Sequence, residues 1–120
     1  MQNVAVLGAS TNPERYSYKA IDLLKNYGHK VYPSNPQYQE ILGQKVYPTI
    51  ASIPDKVDTL TLYVNATLSS QSTNDILALK PKRVIFNPGS ENPALQTALE
   101  NAGIECLEAC TLVMLRTNQF

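Results

Sequence analysis

The chain is poor in the residues that do chemistry on their own. Its 120 residues include one histidine, two cysteines and no tryptophan. With His29, Cys106 and Cys110 the only imidazole and thiols, a zinc site of nitrogen and sulfur ligands would have to borrow a carboxylate or water. A Ser-His-Asp triad would depend on His29 alone. Two cysteines are too few for a disulfide framework and fit free thiols in a reducing compartment. Net charge is missing too, since ten Lys and Arg balance ten Asp and Glu. Without a basic excess there is no counterion-releasing surface for sequence-independent nucleic-acid binding. No apolar run reaches the roughly 18 residues of a membrane span. Met1-Gln2-Asn3 leads straight into a strand-like run, without the charged, apolar and small-residue order of a signal peptide. A cytoplasmic protein without nucleic-acid or membrane partners is expected.

What is present suits a packed domain. Hydrophobic residues make up 43% and charged residues 17%, and the length fits one domain over residues 1–120. Val4-Ala5-Val6-Leu7, closed by Gly8, reads as a strand buried on both faces. A polar turn over residues 8–15 precedes a helix from Ser17 to Tyr27, with Ala20, Ile21, Leu24 and Tyr27 on its apolar side and Gly28 as its stop. Lys30–Pro33 is the second strand. The proline-interrupted stretch up to Pro54 is irregular, with a short strand near Lys45–Tyr47. Leu60–Val64 is the third strand, and a helix over Leu68–Leu79 capped by Thr67 follows. Arg83–Phe86 is the fourth strand. Asn92-Pro93 starts a helix with Leu95, Ala98, Leu99 and Ala102 inward, and Ile104–Leu107 is the fifth strand. Thr111–Leu115 is apolar enough for an extra strand or a subunit contact. Alternating strands and helices joined by short links predict an α/β fold, a mainly parallel five-stranded sheet with helices on both faces.

In such a sheet, ligands bind beyond the carboxyl ends of the strands. The first turn, Gly8-Ala9-Ser10, offers backbone N–H groups and a following helix dipole to a phosphate. Ser10, Thr11 and Asn12 add side-chain donors, and Arg15 and Lys19 add charge. The turn is neither G-x-G-x-x-G nor a P-loop. The second strand ends in Ser34-Asn35-Pro36, without the acid that reads a nicotinamide dinucleotide's ribose, a neutral end that better suits a ribose bearing phosphate or an adenine read by backbone groups. Tyr16, Tyr18 and Tyr32 fall around the proposed mouth as wall, core or base-stacking groups. His29 sits where a helix dipole favours it. Cys106 alternates into the core, whereas Cys110 follows the fifth strand as a small buried residue or an exchangeable thiol.

V-A-V-L-G-A-S-T-N-P-E-R from Val4, V-Y-P-S-N-P from Val31 and L-G-Q-K-V-Y-P-T-I from Leu42 together resemble the small stand-alone CoA-binding proteins. Their fold is also the N-terminal domain of the succinyl-CoA synthetase α subunit. The resemblance implies a Rossmann-like, doubly wound domain that binds coenzyme A or an acyl-CoA without catalysis of its own. It implies a phosphate turn at Gly8, Ala9, Ser10, Asn12 and Arg15. Asn35 and Pro36 then match the end of strand two. Tyr63, Val64 and Asn65 match the segment after strand three, and Asn87, Pro88 and Gly89 the turn after strand four. The chain departs from the pattern at Asn65–Ser70 and at Ala109, before the late cysteine. The implied partner is a small nucleotide ligand, with a homodimer or an acyl-CoA enzyme as a protein partner. Alternative readings are a nicotinamide-dependent reductase or redox sensor, and a regulatory interaction subunit with a vestigial nucleotide site.

Overall fold

The computed structural model describes residues 1–120. Strand β1, Asn3–Leu7, lies inside the main sheet, with Val4, Ala5 and Val6 fully buried. The chain returns through α1, Tyr16–Asn26, to β2, Lys30–Ser34. A small antiparallel hairpin follows, β3 at Glu40–Ile41 and β4 at Gln44–Lys45. It turns on Leu42 and Gly43, both at positive φ, as a two-residue hairpin loop requires. After a 3₁₀ turn at Ile50–Ser52 come β5, Thr59–Leu62, then α2, Ala66–Gln71, and α3, Thr73–Leu79. The chain closes with β6, Arg83–Phe86, α4, Pro93–Asn101, β7, Glu105–Glu108, and α5, Thr111–Arg116.

The main sheet has the order β2-β1-β5-β6-β7, and every pair is parallel. This is the expected five-stranded α/β Rossmann-like arrangement. Alternating residues divide the interior. Val4, Val6 and Val31 pack with Ile21 and Leu24 of α1 and Leu115 of α5. Ala5, Leu60, Leu62, Val84 and Phe86 pack with Ile76 of α3 and Leu95 and Leu99 of α4. From β1 the chain runs first to β2 on one side and then crosses to β5 on the other. The carboxyl ends of β1 and β5 therefore flank the switch point where ligands of such sheets bind.

Several local expectations are corrected. The helix placed at Leu68–Leu79 is two helices, broken at Ser72. Its run of Ser and Thr bonds back to the chain instead of extending one ladder, with Thr73 Oγ1 donating to the Ser70 carbonyl at 2.8 Å. Asn65, not Thr67, caps the first of them, accepting from the Leu68 N–H at 3.0 Å. The third strand stops at Leu62, so Tyr63 and Val64 lie in the loop beyond it. The fifth strand is shifted by one residue, to Glu105–Glu108. The short strand near Lys45–Tyr47 is confined to Gln44–Lys45, while Tyr47 makes a single bridge to Ser34. Thr111–Leu115 is helical rather than an extra strand. Thr111, Leu112, Met114 and Leu115 are buried while Val113 is exposed, the face pattern of a helix turn.

Candidate functional site

Two adjoining clefts lie over the carboxyl ends of the strands. The first, of about 470 Å³, runs between the β1–α1 loop and the loops after β5 and β6. The second, of about 510 Å³, lies between the loop after β2, the 3₁₀ turn and the α2–α3 pair. Gly8, Asn35, Gln37, Val64 and Leu68 border both.

Gly8 sets the floor. Its φ is +90°, and a Cβ there would stand 2.7 Å from the Tyr63 carbonyl oxygen and 2.8 Å from Val64 Cγ1. A side chain is therefore excluded both by backbone conformation and by space. The Gly8 and Ala9 N–H groups donate to the Ser34 carbonyl at 3.1 and 3.2 Å. These two donors, expected to face a phosphate, are spent on stitching β1 to β2. The open donors lie further on. The N–H groups of Ser10 and Thr11, and those of Tyr16, Ser17 and Tyr18 in the first turn of α1, have no partner within the chain. No side chain caps α1, and no acid sits in its first turn. The positive end of an 11-residue helix thus opens beside Arg15, Tyr16 and Ser17, which line the first cleft.

The loops are held by their own polar groups. Asn35 Nδ2 donates to the Ala9 carbonyl at 2.9 Å, while Asn35 Oδ1 accepts from the Gln37 N–H at 2.8 Å. The Asn12 N–H donates to Ser10 Oγ at 3.0 Å, and Asn12 Oδ1 accepts from the Glu14 N–H at 3.0 Å. Asn92, capping α4, donates from its amide to Ser69 Oγ and Ser70 Oγ, each at 2.9 Å, fixing α2 as the far lip of the cleft. Below the floor, Asn87 Nδ2 donates to Thr61 Oγ1 at 2.6 Å and to the Leu62 carbonyl at 2.8 Å. Its Oδ1 accepts from the Thr111 N–H at 2.9 Å.

Of the residues named from sequence, Gly8, Ala9, Ser10, Arg15 and Asn35 line the first cleft, joined by Tyr63, Val64, Asn65, Pro88 and Gly89. Pro36 lines the second. Asn12 and Lys19 line neither: Asn12 builds the turn, and the Lys19 ammonium rests 5.5 Å from the centre of the Tyr16 ring. Asn87 is also absent from the walls, its side chain committed to joining β5, β6 and α5. Ser17, Gln37, Tyr38, Leu68 and Ser90 complete the first cleft and were not foreseen. A loop's side of the cleft is not encoded in hydrophobic periodicity, so the sequence pattern did not mark them.

The remaining chemistry-bearing groups are mostly structural. The buried Tyr63 hydroxyl has no hydrogen-bond partner, and burial pushes its pKa up to about 12. Burial, with the Glu100 and Glu105 carboxylates, pushes the half-buried Cys106 up to about 11, so its thiolate is scarce at neutral pH. Of the three tyrosines, only Tyr16 lines the mouth; Tyr18 packs on the core, and Tyr32 donates to Asp55 Oδ2 at 2.7 Å. His29 lies at the other end of the sheet, its Nδ1 accepting from the Gln2 N–H at 3.0 Å. There it acts as a neutral acceptor, not as a cation on a helix dipole. No group of His, Cys, Asp or Glu is arranged to hold a metal, and no helix is long and apolar enough to cross a membrane.

Residues 2–116 match the CoA binding domain family. The ADP-forming acetate–CoA ligase I of Archaeoglobus fulgidus is 36% identical over 72 residues, which is 60% of this chain and 10% of that protein. The α subunit of ADP-forming acetate–CoA ligase II of Pyrococcus furiosus is 41% identical over 58 residues, 48% of this chain and 13% of that subunit. The chain thus spans about a tenth of the length of these curated relatives. The crystal structure of an uncharacterized protein superposes with a TM-score of 0.95 at 42% identity, over 100% of this chain and 98% of that one. With a family match running from the first strand through the last helix, the chain belongs to the CoA binding domain family and is homologous to the corresponding part of the acetate–CoA ligases.

Proposed function

We propose that residues 1–120 form one domain that binds coenzyme A or an acyl-CoA across the two clefts and catalyses no reaction itself. The observation that carries this reading is the uncapped, acid-free start of α1, opening on the first cleft beside Arg15. The pyrophosphate sits there, on the open N–H groups of Ser10, Thr11 and the first turn of α1, with Arg15 supplying charge. The adenosine lies in the second cleft, against Pro36, Pro48 and Ile50. The pantetheine arm leaves past Pro88 and Gly89. Arg15 and Asp75 are the charged residues bordering the clefts, one at each, and they do not form an acid–base pair. The nucleotide is accordingly held rather than transformed, and an enzyme that uses the acyl-CoA is the fitting protein partner.

Isothermal titration of the chain with CoA, acetyl-CoA, NADH and ATP tests this. The expected result is binding of CoA and acetyl-CoA, with NADH and ATP weaker. Absence of CoA binding, or NADH as the preferred ligand, overturns it.

A further inference from the structure

The second cleft carries a signature that the first does not share. Its walls hold one charged side chain, and it is an acid: Asp75, at the start of α3. The Asp75 carboxylate makes no hydrogen bond within the chain, and the chain's two ion pairs, Lys30–Asp55 and Lys82–Asp58, do not involve it. On the same walls lies Ser34, fully buried, whose Oγ has no partner anywhere in the chain. A buried hydroxyl without a partner is rare, because it forfeits its hydrogen bonds to water. A ligand group that bonds to Ser34 Oγ therefore recovers that loss. Pro36, Pro48, Ile50 and Val64 give the cleft flat apolar surface suited to a base, while Ser34, Thr49 and Ser72 offer hydroxyls.

A carboxylate and unmatched hydroxyls suit a sugar that presents free O–H groups, since a carboxylate accepts from a vicinal diol. They suit a phosphorylated sugar poorly. A phosphate monoester carries close to two negative charges at neutral pH, and no lysine or arginine borders this cleft to receive it. We infer that the second cleft discriminates against a ribose 3′-phosphate, with Asp75 as the specificity-determining residue. The favoured ligand class is a CoA-type adenosine 5′-diphosphate ester whose ribose 2′- and 3′-hydroxyls are both free. This inference rests on the proposed placement of the adenosine in the second cleft.

Titration calorimetry with CoA and with dephospho-CoA, which differ only in the 3′-phosphate, tests it. Dephospho-CoA is expected to bind about tenfold more tightly, a modest penalty for like charges brought together. Asp75→Asn is expected to narrow that gap by strengthening CoA, with circular dichroism unchanged. CoA binding as tightly as dephospho-CoA, or more tightly, overturns the inference while leaving nucleotide binding intact. A preference for dephospho-CoA that persists undiminished in Asp75→Asn overturns the role of Asp75. Failure of both ligands to bind overturns this inference together with the reading on which it rests.

Discussion

The two ends of the parallel sheet are made from the same strands and treat their polar groups in opposite ways. At the amino end most are matched, the buried Arg83 Nη2 being the exception. Asn3 donates from its N–H to Asp58 Oδ2 and from Nδ2 to the Lys56 carbonyl, each at 2.8 Å. Thr59 Oγ1 donates to Gln2 Oε1 at 2.6 Å and accepts from Arg83 Nε at 2.8 Å. The Phe120 ring covers this seam, 5.2 Å from the His29 ring and 4.6 Å from the Arg83 guanidinium. At the carboxyl end five consecutive-loop and first-turn N–H groups stay open, and two buried hydroxyls, on Ser34 and Tyr63, have no partner. Matched groups fix the fold, whereas unmatched ones are free for a ligand. Substitutions at the two ends should therefore separate stability from binding, and residues beneath the clefts should affect both.

The largest effect is expected at Gly8. Gly8→Val places a branched side chain at φ +90° with its Cβ 2.7 Å from a backbone oxygen. Left-handed strain and overpacking each cost on the order of 1–3 kcal/mol. Urea denaturation should show a loss of about 3 kcal/mol or more, with ligand binding abolished. A variant with wild-type stability would mean that the β1–α1 turn relaxes freely. Next comes Asn87. Asn87→Ala leaves the Thr111 N–H and the Leu62 carbonyl short of a buried partner, for a loss of roughly 2–4 kcal/mol. Because Asn87 does not line the clefts, affinity measured on the folded variant should fall much less than stability.

Arg15 is the converse case. It is exposed, and its N–H rather than its guanidinium serves the fold, through the Asn12 carbonyl at 3.0 Å. Arg15→Ala should leave the denaturation midpoint where it was and weaken CoA by the ~1.5–3 kcal/mol of a charged hydrogen bond. Lys19→Ala, whose ammonium lies over Tyr16, should change affinity less. Equal losses at the two positions would put the phosphate outside the cleft rather than at the start of α1.

The layout of the sheet was legible because it is carried by repeating features. Buried apolar runs such as Val4–Leu7 and the helical spacing of Ile21 and Leu24 announce their elements, and Asn92-Pro93 announces a helix start. Gly8 was legible as the turn at the floor of the cleft because it ends a buried strand. What stayed hidden depended on tertiary pairing. The donation of Gly8 and Ala9 N–H to the Ser34 carbonyl joins residues 26 and 25 apart in sequence, so these two donors read as open from sequence although the fold uses them. Asn87 stands in a turn that borders the first cleft, but its side chain bonds instead to Thr111, a residue from another element. The Ser-rich break at Ser72 and the helical Thr111–Arg116 are short, and short segments follow their contacts more than their propensities.

The smallest effect tests the closed end through its single histidine. His29 Nδ1 accepts the Gln2 N–H, so it must be unprotonated in the folded state. Burial, then the positive N-terminus, then Arg83, all hold its pKa below the ordinary value of 6.5. The unfolded chain therefore takes up this proton more readily than the folded one. The His29 contribution to stability is fully present above about pH 6.5 and declines as the pH falls from there through the folded value. Denaturation midpoints measured between about pH 7 and pH 5 should show that decline. His29→Asn keeps an acceptor near Gln2 but cannot titrate, so its curve should be flatter over the same window. Because His29 lies across the sheet from the clefts, CoA affinity should show no matching His29-dependent change. An identical pH slope in both proteins would place the titrating group elsewhere. A slope in affinity that disappears with His29→Asn would show instead that the two ends of the sheet are coupled, contrary to their separate roles.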